Sequence, residues 1–426
     1  MRSIPRFVPS LRLLPIALLV LCLASPSAAE RRLVEVPGSD VGLPFSPAAW
    51  SGDLLFLSGA LANTPGTLEI VGDTSVQTTR TLANLDAVLE AAGLDRSRVI
   101  QVEVYLADAR YAYDATRTLS AALAEAGVAP ARTTFEADLA IPEARLEVAF
   151  VAAGRDVEIE QVVPEGWSTE ARHQASWATR ADGVLFLSML TAEDPATGAF
   201  VGGDLTAQVD RTMANVDAVL DAAGLDAGDL VRCRVILPDP RDYGAMNDAY
   251  GAYFSERKVT APPARATIRA RLPNPEAKFG VQCTAASGGE RRAVAAAGAP
   301  PSTRPFSPSI QVGERLFLSG MVGRGSNGFP PDLAEQTRIT LDNLSKTLAA
   351  AGLDFGDVTN AVVYLNDPRH YAAMNTVYRD VVGSPPPARA TIGTPLMTPA
   401  AWVEIQMTAD AAGAEPAASE TAPATD

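Results

Sequence analysis

The stretch Asn84-Leu85-Asp86-Ala87-Val88-Leu89-Glu90-Ala91-Ala92-Gly93-Leu94-Asp95 decides the fold, because the chain contains it three times. It returns as Asn215-Val216-Asp217-Ala218-Val219-Leu220-Asp221-Ala222-Ala223-Gly224-Leu225-Asp226, and again as Asn343-Leu344-Ser345-Lys346-Thr347-Leu348-Ala349-Ala350-Ala351-Gly352-Leu353-Asp354. Leu82, Leu85, Val88, Leu89 and Ala92 recur at helical spacing, and each glycine stands where a left-handed residue closes a helix. Fifteen residues beyond each glycine comes an aspartate: Asp108, Asp239 and Asp367. The segments before it (99–106, 231–237 and 361–365) are rich in Val, Ile and Tyr and read as strands. One spacing kept three times, without insertions, marks internal duplication.

Working outward, the same order of anchors frames each helix. Leu-Phe-Leu-Ser at 55–58, 185–188 and 316–319 reads as an early strand. Pro-Ala-Arg at 130–132, 263–265 and 387–389 opens a late one, and 146–149, 279–283 and 403–405 close the unit. Each copy therefore reads strand–strand–helix–strand–helix–strand–strand, an α+β plan with both helices on one face of a mixed sheet. The copies span 30–154, 164–286 and 304–410. The joins at 155–163 and 287–303 are charged or Ala/Gly/Pro-rich and read as linkers.

The ends are of another kind. Arg2, Arg6 and Arg12 precede an apolar core at 13–24, and Ser27-Ala28-Ala29 forms a small-residue cleavage site. That is the layout of a secretory signal peptide over 1–29, with a core short for a membrane span. It predicts a periplasmic or secreted protein with no stable membrane insertion after cleavage. Leu21 before Cys22 argues against lipidation. The segment 411–426 is Ala/Pro/Thr/Glu-rich, lacks large apolar residues and reads as a disordered tail.

Composition narrows the function. The 426 residues are 47% hydrophobic and 20% charged, enough for a sizeable core. The net charge is −15, and removal of a leader carrying three arginines leaves about −18, a poor partner for nucleic acid. Two histidines and three cysteines, without any CxxC, leave no expected metal site or cofactor cluster. Gly323-Arg324-Gly325-Ser326-Asn327-Gly328 matches a dinucleotide fingerprint, but Phe329-Pro330-Pro331 follows where a helix should open, so it reads as a loop. His173 and His370 occupy non-equivalent places and read as surface residues. Cys233 and Cys283 lie in strands of the second copy; buried free thiols are the favoured expectation and a disulfide the other.

The arginine after Pro-Ala is the most informative polar residue. At the mouth of a strand it offers a rigid fork of donors suited to a carboxylate. Fifteen residues on, the first and third copies place Glu147 and Glu404. If the two closing strands form a hairpin, Arg132 comes opposite Glu147. Spacing alone leaves open a ligand site or a cross-strand ion pair.

The Pro-Ala-Arg-x-Thr stretch, the Phe-Leu-Ser-Gly strand end, the repeated helix and the Val-Glu-Ile-Gln strand resemble the Rid/YjgF family of enamine/imine deaminases, three times in tandem. The resemblance implies a chorismate-mutase-like α+β fold and trimers with clefts between subunits, here replaced by three internal copies of a pseudo-trimer. It implies that arginine grips the carboxylate of a 2-imino acid while glutamate assists water attack, giving a 2-keto acid and ammonia without a cofactor. Carried over residue by residue, the third copy is complete, with Phe306, Ser319, Gly320, Asn375, Arg389, Thr391 and Glu404. The first keeps Phe45, Ser58, Gly59, Arg132, Thr134 and Glu147, but has Ala115 or Thr116 for the asparagine. The second keeps Asn247, Arg265 and Thr267, but has Ala175 for the aromatic residue, Met189 for the glycine and Gly280 for the glutamate. A site built on Arg265 is therefore expected to be weak or inert, with Arg389, Glu404, Arg132 and Glu147 as the catalytic set. The alternative is a non-catalytic binding protein for a small carboxylated metabolite. A ribonuclease role, sometimes attached to this family, fits poorly with the acidity.

Overall fold

The computed structural model describes residues 31–37, 42–170, 175–299 and 302–411. The expected leader at 1–29, His173 and all of the expected tail at 411–426 except Ala411 lie outside the described residues. The first unit runs β1 (Leu33–Val34), β2 (Ala48–Ser51), β3 (Leu54–Leu57), α1 (Thr74–Ala91), β4 (Val99–Leu106), α2 (Ala112–Glu125), β5 (Ala131–Glu136) and β6 (Leu146–Ala153). The second repeats it as β7 (Glu160–Val162), β8 (Ala178–Ala181), β9 (Val184–Leu187), α3 (Leu205–Ala222), β10 (Leu230–Ile236), α4 (Tyr243–Glu256), β11 (Ala264–Ile268) and β12 (Gly280–Ala286). The third has β13 (Arg291–Ala293), β14 (Ser309–Val312), β15 (Arg315–Leu318), β16 (Met321–Val322), α5 (Leu333–Ala350), β17 (Val358–Leu365), α6 (Tyr371–Val382), β18 (Ala388–Gly393) and β19 (Val403–Asp410).

The three sheets share one order: β1-β2-β3-β6-β4-β5, then β7-β8-β9-β12-β10-β11, then β13-β14-β15-β19-β17-β18, with β16 added against β19. The joins are not plain linkers, as their composition suggested. Each contributes an edge strand, β7 or β13, that pairs antiparallel with the first strand of its unit. Backbone pairing there does not need the apolar alternation by which a strand is recognised in sequence.

Local chemistry explains the repeated signals. Asp73, Asp204 and Asp332 cap α1, α3 and α5, each accepting from the backbone N–H three residues on. Gly93, Gly224 and Gly352 have φ of 72°, 68° and 79°, the left-handed closing position. The aspartate fifteen residues later caps the turn before the second helix and takes the side chain of Arg110, Arg241 or Arg369. Those side-chain hydrogen bonds hold Asp108, Asp239 and Asp367 at a pKa of about 2. The 323–328 segment makes a tight loop closed by a Gly325–Gly328 bridge, well before α5 begins.

Each sheet packs its helices over its own core, as where Leu82, Leu85 and Leu89 of α1 and Leu119 of α2 meet Val102, Val104 and Phe150. Two further clusters draw on all three units. One gathers Tyr105, Phe135, Ile236, Ile268, Tyr364 and Ile392, the other Phe56, Ile100, Phe186, Val231, Ile310 and Phe317. Polar links accompany them. Arg234 of the second unit pairs at 3.1 Å with Glu103 of the first, and Arg232 donates to the Thr408 hydroxyl of the third at 2.8 Å. Cys233 and Cys283 stand opposite each other on β10 and β12 and are joined as a disulfide. This corrects the expectation of free thiols. Closing a separation of 50 residues constrains the unfolded chain, worth about 4 kcal/mol on the loop-entropy account.

Candidate functional site

The closing strands do not form a hairpin. β5 pairs parallel with β4, and β6 pairs antiparallel with the other side of β4, so β4 separates Arg132 from Glu147. The expected facing of Arg132 with Glu147 inside one unit is therefore wrong. The same layout parts Arg389 from Glu404 across β17. Each arginine strand instead lies against the neighbouring unit, as the bridges Ser46–Ala388, Ala131–Ser176 and Ala264–Ser307 show.

The first cleft lies between units three and one. The Arg389 backbone N–H donates to the Ser58 hydroxyl at 2.8 Å, Ser58 donates to the Ser46 carbonyl, and the Gly59 N–H donates to the Arg389 carbonyl. These bonds dock the Ser-Gly strand end of one unit on the arginine strand of another. The Arg389 side chain, 2% exposed, donates through one terminal nitrogen to Asn375 Oδ1 at 2.7 Å. It lies 4.6 Å from the Tyr378 ring centroid and 5.3 Å from that of Phe45. Among the described residues its Nε and other terminal nitrogen have no hydrogen-bond partner, and neither do the hydroxyls of Thr391 and Tyr378. Two orphaned donors on a buried guanidinium are costly unless an anion takes them up.

Glu147 completes this cleft. Its carboxyl packs so tightly on Gly59 that a Cβ there would stand 1.8 Å from Oε1. The glycine is required by this close approach. Burial pushes Glu147 up to a pKa of about 8, against the opposing pull of Arg389 and of a hydrogen bond from the Thr391 backbone.

The second cleft repeats the plan between units two and three. The Arg265 N–H donates to the Ser319 hydroxyl at 2.8 Å, and the Gly320 N–H to the Arg265 carbonyl. The Arg265 guanidinium donates to Asn247 Oδ1 at 2.6 Å and lies 4.6 Å from the Phe306 centroid and 4.9 Å from that of Tyr250. Among the described residues the Thr267 and Tyr250 hydroxyls are unpartnered. Glu404 presses on Gly320 as Glu147 does on Gly59, and burial raises it likewise to about 8, opposed by Arg265 and Arg304. The aromatic ring, the Ser-Gly strand end and the glutamate of the Arg265 site thus come from the third unit, and the second unit's own losses fall elsewhere.

The third cleft, around Arg132, collects every departure. The Arg132 N–H donates to the Ser188 hydroxyl and Met189 N–H to the Arg132 carbonyl, so the backbone docking survives. Thr116 replaces the asparagine, and the Arg132 guanidinium donates to Ser120 instead, at 2.9 Å. Ala175 stands for the aromatic ring, Gly280 for the glutamate and Met189 for the glycine. A Cβ on Gly280 would meet Leu272 at 3.0 Å and Met189 Sδ at 3.2 Å. An apolar side chain therefore borders the place that a carboxylate fills elsewhere. Thr134 stays half-buried on β5. Tyr371, its ring centroid 6.0 Å from the Arg389 guanidinium carbon, and Tyr243, hydrogen-bonded to Arg265, join Tyr378 and Tyr250 at these clefts. None of the four was singled out from the sequence; their register on α4 and α6 with Asn247 and Asn375 is the signal that could have found them. Among the described residues no group of three or more His, Cys, Asp or Glu side chains could hold a metal ion.

Similarity to known proteins agrees with this layout. The stretch 40–154, and again 168–287 and 296–411, matches the family described as Endoribonuclease L-PSP. Over 80 residues (19% of this chain, 62% of the relative) it is 41% identical to a 2-iminobutanoate/2-iminopropanoate deaminase of Salmonella typhimurium. A goat (Capra hircus) protein of that same name is 33% identical over 119 residues, 27% of this chain and 87% of the relative. A crystal structure of a chorismatase shares the fold, with TM-score 0.52 and 17% identity, covering 74% of this chain and 93% of the other. The matched stretch spans under two thirds of the Salmonella relative's length, one unit's worth. The chain belongs to the Endoribonuclease L-PSP family, to which its Rid/YjgF-like motifs point, and carries the family's unit three times.

Proposed function

We propose that the protein is an imine/enamine deaminase with two working clefts, Arg389 with Glu147 and Arg265 with Glu404. The observation that carries this reading is the buried Arg389 guanidinium, with two unpartnered donors beside a buried carboxyl of another unit. The deaminase names of similar proteins support it. The arginine holds the carboxylate of a 2-imino acid in two charge-assisted hydrogen bonds, and the tyrosine and phenylalanine rings exclude water around it. With a pKa of about 8, the glutamate is mostly protonated at neutral pH yet can ionise in the reaction. It donates its proton to the imine nitrogen as water adds to the carbon, then accepts a proton from that water. The glutamate then protonates the amine of the carbinolamine, its carboxylate takes up the hydroxyl proton as the C–N bond breaks, and ammonia and a 2-keto acid are released.

The three units, joined through shared apolar clusters and through each cleft, support an intramolecular pseudo-trimer. The cleft at Arg132 is its non-catalytic member, lacking any carboxyl at Gly280. The test is release of ammonia or keto acid from a freshly generated 2-imino acid. Wild type should exceed the buffer rate, and R265A/R389A should not. A wild-type rate equal to buffer contradicts the enzyme reading and leaves the binding protein.

A further inference from the structure

The two clefts that retain arginine and glutamate differ in charge beside the phenylalanine ring. Two residues before Phe306 stands Arg304; two residues before Phe45, the equivalent ring, stands Leu43. Both Arg304 and Arg265 lie against the Phe306 ring, with guanidinium carbons 5.8 Å and 4.6 Å from its centroid. Phe45 has Arg389 against it, and Leu43 brings no charge. Arg304 is exposed, and among the described residues its guanidinium makes no hydrogen bond or ion pair. That is notable in a chain with 50 acidic and 35 basic residues. Its charge also reaches the Glu404 carboxyl, whereas Glu147 feels Arg389 without such a second cation.

We infer that Arg304 makes the Arg265 cleft selective for ligands with a second carboxylate, the 2-imino and 2-keto dicarboxylates. The Arg389 cleft, with Leu43 at the equivalent sequence position, takes monocarboxylates with apolar side chains. The inference rests on the proposed reading that these clefts bind 2-imino and 2-keto acids. Arg265, buried and held by Asn247, engages the first carboxylate. Arg304, on the solvent side of the same ring, is placed for an anionic group carried on the ligand's side chain. An exposed charge pair contributes modestly, so the expected preference is a few-fold and falls with added salt.

The test uses the full-length protein, with 2-oxoglutarate and 2-oxobutanoate as probes in calorimetric titration. In R389A, which keeps the Arg265 cleft, 2-oxoglutarate should bind about fivefold more tightly than 2-oxobutanoate. Adding Arg304→Gln should erase that preference while changing 2-oxobutanoate affinity less than about twofold. In R265A the preference should be absent. Equal binding of the two probes to R389A, or a preference that survives Arg304→Gln, overturns the role of Arg304 and leaves the cleft reading standing. Failure of both probes to bind wild type and R389A overturns the cleft reading together with this inference.

Discussion

Met189 Sδ lies 3.2 Å from the point where a Cβ on Gly280 would stand, and the two residues exchange the sizes found at their counterparts. Elsewhere the strand-end residue is glycine and its neighbour glutamate: Gly59 with Glu147 and Gly320 with Glu404. In the Arg132 cleft the bulk has moved to the other partner, so packing is kept while the carboxyl is lost. Gly280→Glu alone should therefore overpack the site and destabilise the protein by about 1–3 kcal/mol. Adding Met189→Gly should recover part of that loss. Urea unfolding midpoints of the two variants against wild type give the comparison.

The raised glutamates predict a pH dependence of stability. Both carboxyls have a folded pKa of about 8, above their ordinary value of 4.5. The folded state therefore binds more protons than the unfolded chain between these values. Their contribution is full below about pH 4.5 and is lost as pH rises through 8. Denaturant midpoints should fall across that window in wild type, and E147Q/E404Q should flatten the fall and be the more stable protein at pH 9. The proposed mechanism requires the same protonated form, so on that reading kcat/KM should decline above about pH 8.

Glu103 and Arg234 join units one and two at 3.1 Å, with 12% and 2% of their side chains exposed. Removing the acid strands a buried guanidinium. Glu103→Gln should cost about 3–5 kcal/mol, read from chemical unfolding, and more than Arg234→Met at the same measurement. The third unit has Val362 in the equivalent strand position, so this pair also distinguishes one neighbour from another.

Much of this was legible in the sequence. The Asn-to-Asp helix in triplicate, its closing glycine and the Ser-Gly, Pro-Ala-Arg and glutamate anchors are local signals, and local signals survive reading along a chain. What did not survive is who faces whom. Arg132 and Glu147 are fifteen positions apart and invite a hairpin, but β4 inserts between their strands, and the true partner of Glu147 is Arg389, in another unit. Judging copies one at a time therefore misassigned the defects: Thr116, Ala175, Met189 and Gly280 come from two units yet converge on one cleft. The pairing of Cys233 with Cys283 was undecided for a similar reason, since a buried thiol and a disulfide half look alike until β10 and β12 are in register.

Residues of the Arg132 cleft should be dispensable for turnover. Arg132→Ala should leave the rate of 2-keto acid release within about twofold of wild type, since Gly280 stands where the other two clefts carry glutamate. Either Arg389→Ala or Arg265→Ala should remove one cleft's share, with the size of the share set by the substrate used.

The most direct test of the central claim combines substitutions within and across clefts, because the structure pairs residues that the units separate. R389A/E147Q disables one cleft twice, and should retain the turnover of the Arg265 cleft. R389A/E404Q disables both clefts once each, although both residues belong to the third unit, and should fall to the buffer rate. The reverse outcome, with R389A/E404Q active and R389A/E147Q dead, would contradict the account and return each site to a single unit.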